Sequence, residues 1–191
     1  MANFYTSDLH LNHSNIIGYC DRPYSNSLEM NYALLENWNE TVSADDTVYI
    51  LGDLIMGQLN KGLEFVDQMN GNKFLIPGNH DKLLPLNKPT EEKIAKYKNV
   101  GITIMSHFEM FNIQNIRFGL SHFPHTTNPK YKYAEYVSKN NGAYQVLLCG
   151  HVHEKWLTNQ NQINVGVDVW DYKPVPEEWL VEMAKNIVNN K

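Results

Sequence analysis

Five short apolar runs in this 191-residue chain stop abruptly at an aspartate, an asparagine or a histidine. Residues 2–6 lead into Ser7-Asp8-Leu9-His10, and residues 47–51 into Gly52-Asp53. Residues 73–77 lead into Gly78-Asn79-His80-Asp81, 116–121 into His122, and 145–149 into Gly150-His151-Val152-His153. Each run has the length and the Val, Ile, Leu, Tyr and Phe content of a buried strand. Loops at strand ends are where α/β folds hold their chemistry. In an extended segment residues i and i+2 point to the same side, so Asp8 with His10, and His151 with His153, can reach one ion.

Helical patterns separate the first three runs. Residues 26–42 predict a helix, with Asn26 and Glu29 as a capping box and Leu28, Tyr32, Leu35, Trp38 and Val42 as its apolar face. Residues 59–70 predict another, with Leu59, Leu63, Val66 and Met69 on one side and Gly71 as its stop. Strand, helix, strand, helix, strand implies βαβ units and a parallel sheet with the polar cluster along one edge. Thr90 is a plausible N-cap for a short helix within 82–101, with Glu91 and Glu92 in its first turn. Two strand-like runs, 102–113 and 115–121, join near Gln114-Asn115, so the second half reads as antiparallel or mixed. A polar and aromatic stretch over 125–143 reads as surface, 162–169 as a strand and 177–189 as a helix. No repeat, linker or low-complexity tract divides residues 1–191, which read as a single domain. His13 and Asn15 fall on an expected loop. Arg22 falls on another, where its guanidinium suits a bidentate contact to a substrate phosphate.

Composition excludes several classes. The net charge is −5, from 16 basic and 21 acidic residues with no dense Lys/Arg block, which disfavours a groove for long nucleic acid. No apolar run approaches the ~20 residues of a membrane span, and the N-terminus lacks a basic and apolar signal pattern. The expected location is therefore the cytoplasm. Cys20 and Cys149 form no CxxC pair and are expected to be free thiols, Cys149 as buried packing.

Five of the eight histidines lie at these strand ends. Asp8, His10, Asp53, Asn79, His122, His151 and His153 offer oxygen and imidazole donors and no thiolate. Seven side chains are too many for one tetrahedral ion and suit two ions sharing a bridging carboxylate. The donor mix favours manganese, with iron, zinc or nickel as alternatives, over calcium or magnesium alone. Two such ions would acidify a bridging water and bind phosphoryl oxygens for in-line displacement at phosphorus. For the fourth strand end His107 and His125 compete with His122. His122 is preferred because it follows its apolar run directly.

In order and spacing, Asp8-Leu9-His10, Gly52-Asp53, Gly78-Asn79-His80-Asp81, His122 and Gly150-His151-Val152-His153 resemble the calcineurin-like metallophosphoesterase superfamily, over residues 8–153. Asp8-Leu9-His10-Leu11-Asn12-His13, Arg22-Pro23 and Trp38-Asn39 resemble its small single-domain bacterial and phage members. The resemblance implies an α/β (α+β) fold, a four-layer αββα sandwich of two mixed sheets, with a dimetal site at the strand ends. It implies that Asp8, His10, Asp53 and His153 bind one ion, and Asp53, Asn79, His122 and His151 the other. His80 would stabilise charge on the phosphoryl group or protonate the leaving oxygen, and we expect Asp81 to orient His80. His13 and Arg22 are candidate substrate contacts outside that ligand pattern.

The superfamily includes phosphomonoesterases, phosphodiesterases, nucleases and protein phosphatases, and the fold does not choose among them. The short chain and its acidic charge favour a phosphodiesterase acting on a small nucleotide-like or cyclic-nucleotide diester. The alternatives are a phosphomonoesterase or a nuclease. Tyr131, Tyr133, Trp170 and Tyr172 are candidate base-stacking aromatics, with ordinary packing as the simpler reading. A scaffold that had lost its chemistry would be expected to lack a ligand or the catalytic histidine. Here every position is filled.

Overall fold

Strands β1 (Asn3–Thr6), β2 (Thr47–Ile50) and β3 (Asn72–Leu75) lie side by side, parallel, with Thr6 opposite Ile50 and Ile50 opposite Leu75. That register brings the three loops that follow them out at one level. A computed structural model of the chain describes residues 1–126, 133, 136 and 142–189. Strand β4 (Ile102–Ile104) extends this sheet in parallel beside β3, and β10 (Val175–Pro176) closes its other edge antiparallel to β1. The second sheet runs β5 (Phe108–Ile113), β6 (Ile116–Ser121), β7 (Val146–Cys149), β9 (Gln162–Asn164) and β8 (Thr158–Asn159). Its central strands β6, β7 and β9 are parallel and its outer pairs antiparallel. The β5–β6 hairpin turns at Gln114 and Asn115, both with positive φ, as a two-residue turn between right-twisted strands requires.

The period of two sorts the side chains of the first sheet. Phe4, Val48, Ile50 and Leu75 pack under helices α2 (Ser27–Thr41), α3 (Leu59–Val66) and α4 (Glu91–Asn99), against Leu34, Trp38, Leu63 and Tyr97. Tyr5, Leu51 and Ile76 belong to a second cluster with Phe118, Leu120, Val146, Leu148 and Ile163 of the other sheet. Helix α5 (Glu177–Asn189) adds Leu180, Val181 and Ala184 to that inter-sheet core. Leu147 and Cys149 turn the other way and pack with Phe123, Tyr136 and Tyr144. The two mixed sheets, with helices over the first, agree with the α/β fold of two mixed sheets that the resemblance implies. Among the described residues no helix is long and apolar enough to cross a membrane. Both cysteines are free thiols.

Four local expectations change. Asn15, read as lying on a loop, falls in a short helix, α1 (Ser14–Tyr19), with His13 at its N-cap. In α2 the buried residues are Met30, Asn31, Leu34 and Trp38, while Leu28 and Tyr32 are exposed. The face is rotated because Asn31 is a core residue: its amide donates to Asn12 Oδ1 at 2.7 Å and accepts from Asn12 N at 3.0 Å. A count of apolar positions passes over it. The run 102–113 is two strands in different sheets, because the chain crosses between sheets at residues 105–107. The run 162–169 is strand only to Asn164, then a 3₁₀ turn at Val167–Val169, since Asn164 Oδ1 takes the N–H of Gly166 and bends the chain. Most of 125–143, Tyr131 included, lies outside the described residues.

Candidate metal centre

The chain arrives at the strand ends in turns rather than extended backbone. Asp8, His10, Asp53, His151 and His153 all have φ between 52° and 71°. Asp, Asn and His tolerate this left-handed region better than most residues, and such conformations cluster at functional sites. The same-side argument from an extended segment is therefore not the reason Asp8 and His10 meet. The loops are latched to each other: Asp8 N donates to Gly52 O, His10 N to Asp53 O and Leu11 N to Leu54 O, each at 3.0 Å.

The strand-end loops bring together two groups of potential ligand atoms, Asp8 with His10 and His153, and Asp53 with His122 and His151, while a third group, Cys20 with His153 and Asp168, shares His153 with the first. In the first, Asp8 Oδ1 lies 3.9 Å from both His10 Nε2 and His153 Nε2. In the second, His122 Nε2 lies 3.4 Å from Asp53 Oδ2, 3.2 Å from His151 Nδ1 and 3.2 Å from Asn79 Oδ1. The groups meet at Asp53, whose Oδ2 is also 3.6 Å from His10 Nε2. His80 is on the open side, 38% exposed, with Nε2 3.9 Å from Asp53 Oδ2 and its backbone N–H donating to Asp53 Oδ1 at 2.8 Å.

Electrostatics at this point call for a cation. Asp8 Oδ1 and both ring nitrogens of His10 are buried and have no hydrogen-bond partner among the described residues, which is costly unless an ion satisfies them. Burial would discharge His122, but Asp53 and then Asp8 outweigh it and raise its pKa to about 9. Burial, then the neighbouring His122 charge, push His151 down to about 3. Burial raises Asp53, but His122, His10 and His80 bring it well below the usual carboxylate range. Burial holds Asp8 above it, against His122 and His153. Divalent ions fit this donor set of two carboxylates, one amide oxygen and four imidazoles.

The surrounding contacts aim the donors. His122 Nδ1 sits 2.8 Å from Leu51 O, which can only accept, so Nδ1 carries the hydrogen and the Nε2 lone pair faces the centre. His153 Nδ1 is 3.0 Å from Asp168 Oδ2, which leaves Nε2 facing Asp8. Asp168 is gripped by Arg22 through Nε at 2.7 Å and Nη2 at 2.9 Å. Arg22 also donates to the carbonyls of Asp8 at 2.7 Å and Leu9 at 3.0 Å. This corrects Arg22 as a substrate contact: its guanidinium is buried and fully engaged in bracing the first loop and His153. Asp81 is also corrected. It does not orient His80, because its two oxygens accept the N–H groups of Asp53 and Gly78 at 2.8 Å and of Leu54 at 3.0 Å. It clamps the second and third loops together. A Cβ at Gly78 would overlap the Asp53 carboxylate, so the loops approach this closely only with glycine there.

The remaining candidates lie outside both groups. His13 is at the rim, its ring 5.3 Å from that of His10. His107 packs edge-on against Tyr136, and the His125 N–H donates to Gln162 Oε1 at 2.7 Å. Sequence reasoning missed Asp168. Its only signal was a lone carboxylate within Val165-Gly166-Val167-Asp168-Val169, where apolar packing leaves a charge no solvent. Two pockets flank the centre. One, of about 300 Å³, is lined by His151, His125, Lys155, Trp156 and Gln162 among others. The other, of about 260 Å³, is lined by His80, Asp81, Lys82, Lys93, Tyr97 and Ile55 among others.

Comparison with known proteins gives a consistent picture. The sequence model of the calcineurin-like phosphoesterase superfamily domain matches residues 1–170. An uncharacterised protein of Methanocaldococcus jannaschii is 34% identical over 188 residues, covering 94% of this chain and 89% of its own. A gene 66 protein of Mycobacterium phage D29 is 31% identical over 202 residues, covering 98% of each. A solved protein of unknown function from Aquifex aeolicus shares the fold with a TM-score of 0.71 at 22% identity, over 95% of this chain and 98% of that one.

Proposed function

The chain belongs to the calcineurin-like phosphoesterase superfamily, and from that premise we propose that it is a dinuclear-metal-dependent phosphodiesterase acting on a small nucleotide-like or cyclic-nucleotide diester. Membership implies a phosphoric ester hydrolase that uses divalent metal ions. The finer reading rests on one observation: Asp53 Oδ2 stands 3.6 Å from His10 Nε2 of one donor group and 3.4 Å from His122 Nε2 of the other. A carboxylate in that position suits a bridge. In this reading Asp8, His10, His153 and Asp53 hold one ion, and Asn79, His122, His151 and Asp53 the other, with manganese as the expected metal.

Bound there, two divalent ions supply Lewis acidity to the phosphoryl oxygens and a hydrolytic nucleophile at neutral pH. The chain's own residues do the rest. Asp81 and Gly78 hold the Asn79-His80 turn against Asp53, so the His80 imidazole is presented at the open side with a fixed backbone. From there His80 stabilises developing charge on the phosphoryl group or delivers a proton to the leaving oxygen. His13 stands at the rim as a substrate contact. Two separate pockets, one lined by His151 and one by His80, favour a diester over a monoester, because a diester has two organic arms to place.

The test is hydrolysis of bis-p-nitrophenyl phosphate and p-nitrophenyl phosphate by protein stripped with EDTA and reloaded with Mn²⁺. The expected result is Mn²⁺-dependent cleavage of the diester with little of the monoester. Preference for the monoester would make the enzyme a phosphatase. Stoichiometric metal binding with neither ester cut would reopen the scaffold reading.

A further inference from the structure

The pocket beside His80 is lined by two lysines that make no ion pair among the described residues. Lys82 and Lys93 both line it. Among the described residues neither makes an ion pair, although Lys96 on the same helix pairs with Glu92 at 3.0 Å and Lys173 with Glu40 at 3.3 Å. The one carboxylate that lines the pocket is Asp81, and both its oxygens are already filled by three backbone N–H groups. Lys82 is exposed and Lys93 half-buried, and their like charges repel each other. Burial first, then Lys82, lower the pKa of Lys93, with Asp81 opposing. Lys82 is held there at a cost, since its backbone is left-handed, with φ 55°. Lys93 is placed by the α4 cap: Thr90 Oγ1 accepts the Lys93 N–H at 3.2 Å and so fixes the first helical turn. Ile55, Met56 and Leu59 give the pocket an apolar side, so it is shaped for an organic body with an anionic end.

We propose that Lys82 and Lys93 form a subsite for a second phosphate of the substrate, on the His80 side of the scissile phosphodiester. This rests on the phosphodiesterase reading of the centre and adds to it a substrate class: a small diester that carries a further phosphate on one arm. A phosphate between two lysines supplies the missing countercharge and accepts charge-assisted hydrogen bonds from both. The phosphoryl group at the metal centre is a separate anion, because none of the seven donor residues lines this pocket.

The experiment has a binding arm and a kinetic arm. EDTA-stripped protein is titrated with inorganic phosphate at low ionic strength by calorimetry, which excludes binding through metal. Wild type and Lys96→Met/Lys98→Met, which removes the same two charges from the helix outside the pocket, are expected to bind phosphate alike. Lys82→Met/Lys93→Met is expected to bind it about tenfold or more weakly. With Mn²⁺ restored, kcat/KM is compared for thymidine 5′-(p-nitrophenyl phosphate) and its 3′-phosphorylated derivative. Wild type should prefer the phosphorylated ester, chiefly through KM, and the double variant should lose about tenfold or more of that preference. Equal phosphate binding by wild type and the double variant, or no binding by stripped wild type, overturns the subsite. So does an unchanged preference between the esters. If no ester is cut while phosphate still binds through the lysines, the phosphodiesterase reading fails, and with it the role of the pocket as a substrate subsite, although the anion site itself stands.

Discussion

His80 separates chemistry from metal binding. Its ring is the one at the centre that is more than a third exposed, and its link to the ligands runs through its backbone. His80→Ala is expected to lower turnover about 10²–10⁴-fold while metal content, measured by plasma mass spectrometry, stays at two ions per chain. Loss of both ions would contradict the assignment. Gly78→Ala tests the close approach of the loops. Its Cβ would collide with the Asp53 carboxylate and lie 2.6 Å from Asp53 N, so urea unfolding should show a loss of about 3 kcal/mol. These residues were legible in the sequence because a ligand-type residue after an apolar run is a local signal. The role of Asp81 was not, because its partners, Asp53 and Leu54, are 28 and 27 positions away.

At the scale of elements, the 3₁₀ turn Val167–Val169 and the segment around Arg22 meet only in the folded chain, 146 residues apart, and between them orient His153. Asp168 carries the energetic consequence. Burial opposes its charge, but hydrogen bonds from His153 and Arg22 outweigh this and hold its pKa below the usual value. A carboxylate depressed in the folded state adds stability above its unfolded pKa of about 3.9 and loses it as pH falls through the lower folded value. In metal-stripped protein Asp168→Asn should therefore cost about 3 kcal/mol at pH 7, by leaving Arg22 buried without its counter-charge. The difference from wild type should shrink as the pH falls below the unfolded carboxylate value of about 3.9 and through the lower folded one, in denaturant unfolding measured across pH. The same variant, reloaded with Mn²⁺ and titrated, should bind it about 10–100-fold more weakly through loss of His153 orientation. An equal deficit at all pH values would mean that the ion pair does not contribute as charge.

At the scale of the whole molecule, two parallel sheet centres end at one level and bring two buried carboxylates, Asp8 and Asp53, into the same space. Metal should therefore stabilise the entire fold. Mn²⁺ at 100 times its Kd contributes about 2.7 kcal/mol per site. For a domain of this size that is a rise in Tm of about 5–10 °C per site over EDTA-stripped protein. Calorimetric scans across Mn²⁺ concentration would show it, and a Tm indifferent to metal would argue against buried ligation.

By itself the sequence determined the five strand ends, the βαβ order of the first half and the donor residues, because hydrophobic periodicity and its abrupt stops are encoded within a few neighbouring positions. The tertiary structure decided what those residues do together. It alone put Asp53 between the two donor groups, turned Arg22 inward onto Asp168 and aimed Asp81 at backbone N–H groups instead of His80. It also rotated α2 about the buried Asn31, and split 102–113 between two sheets. Each of these depends on polar groups finding partners across the sheets once solvent is excluded. A buried charge must be paired wherever the fold leaves it, and no spacing along the chain records that partner.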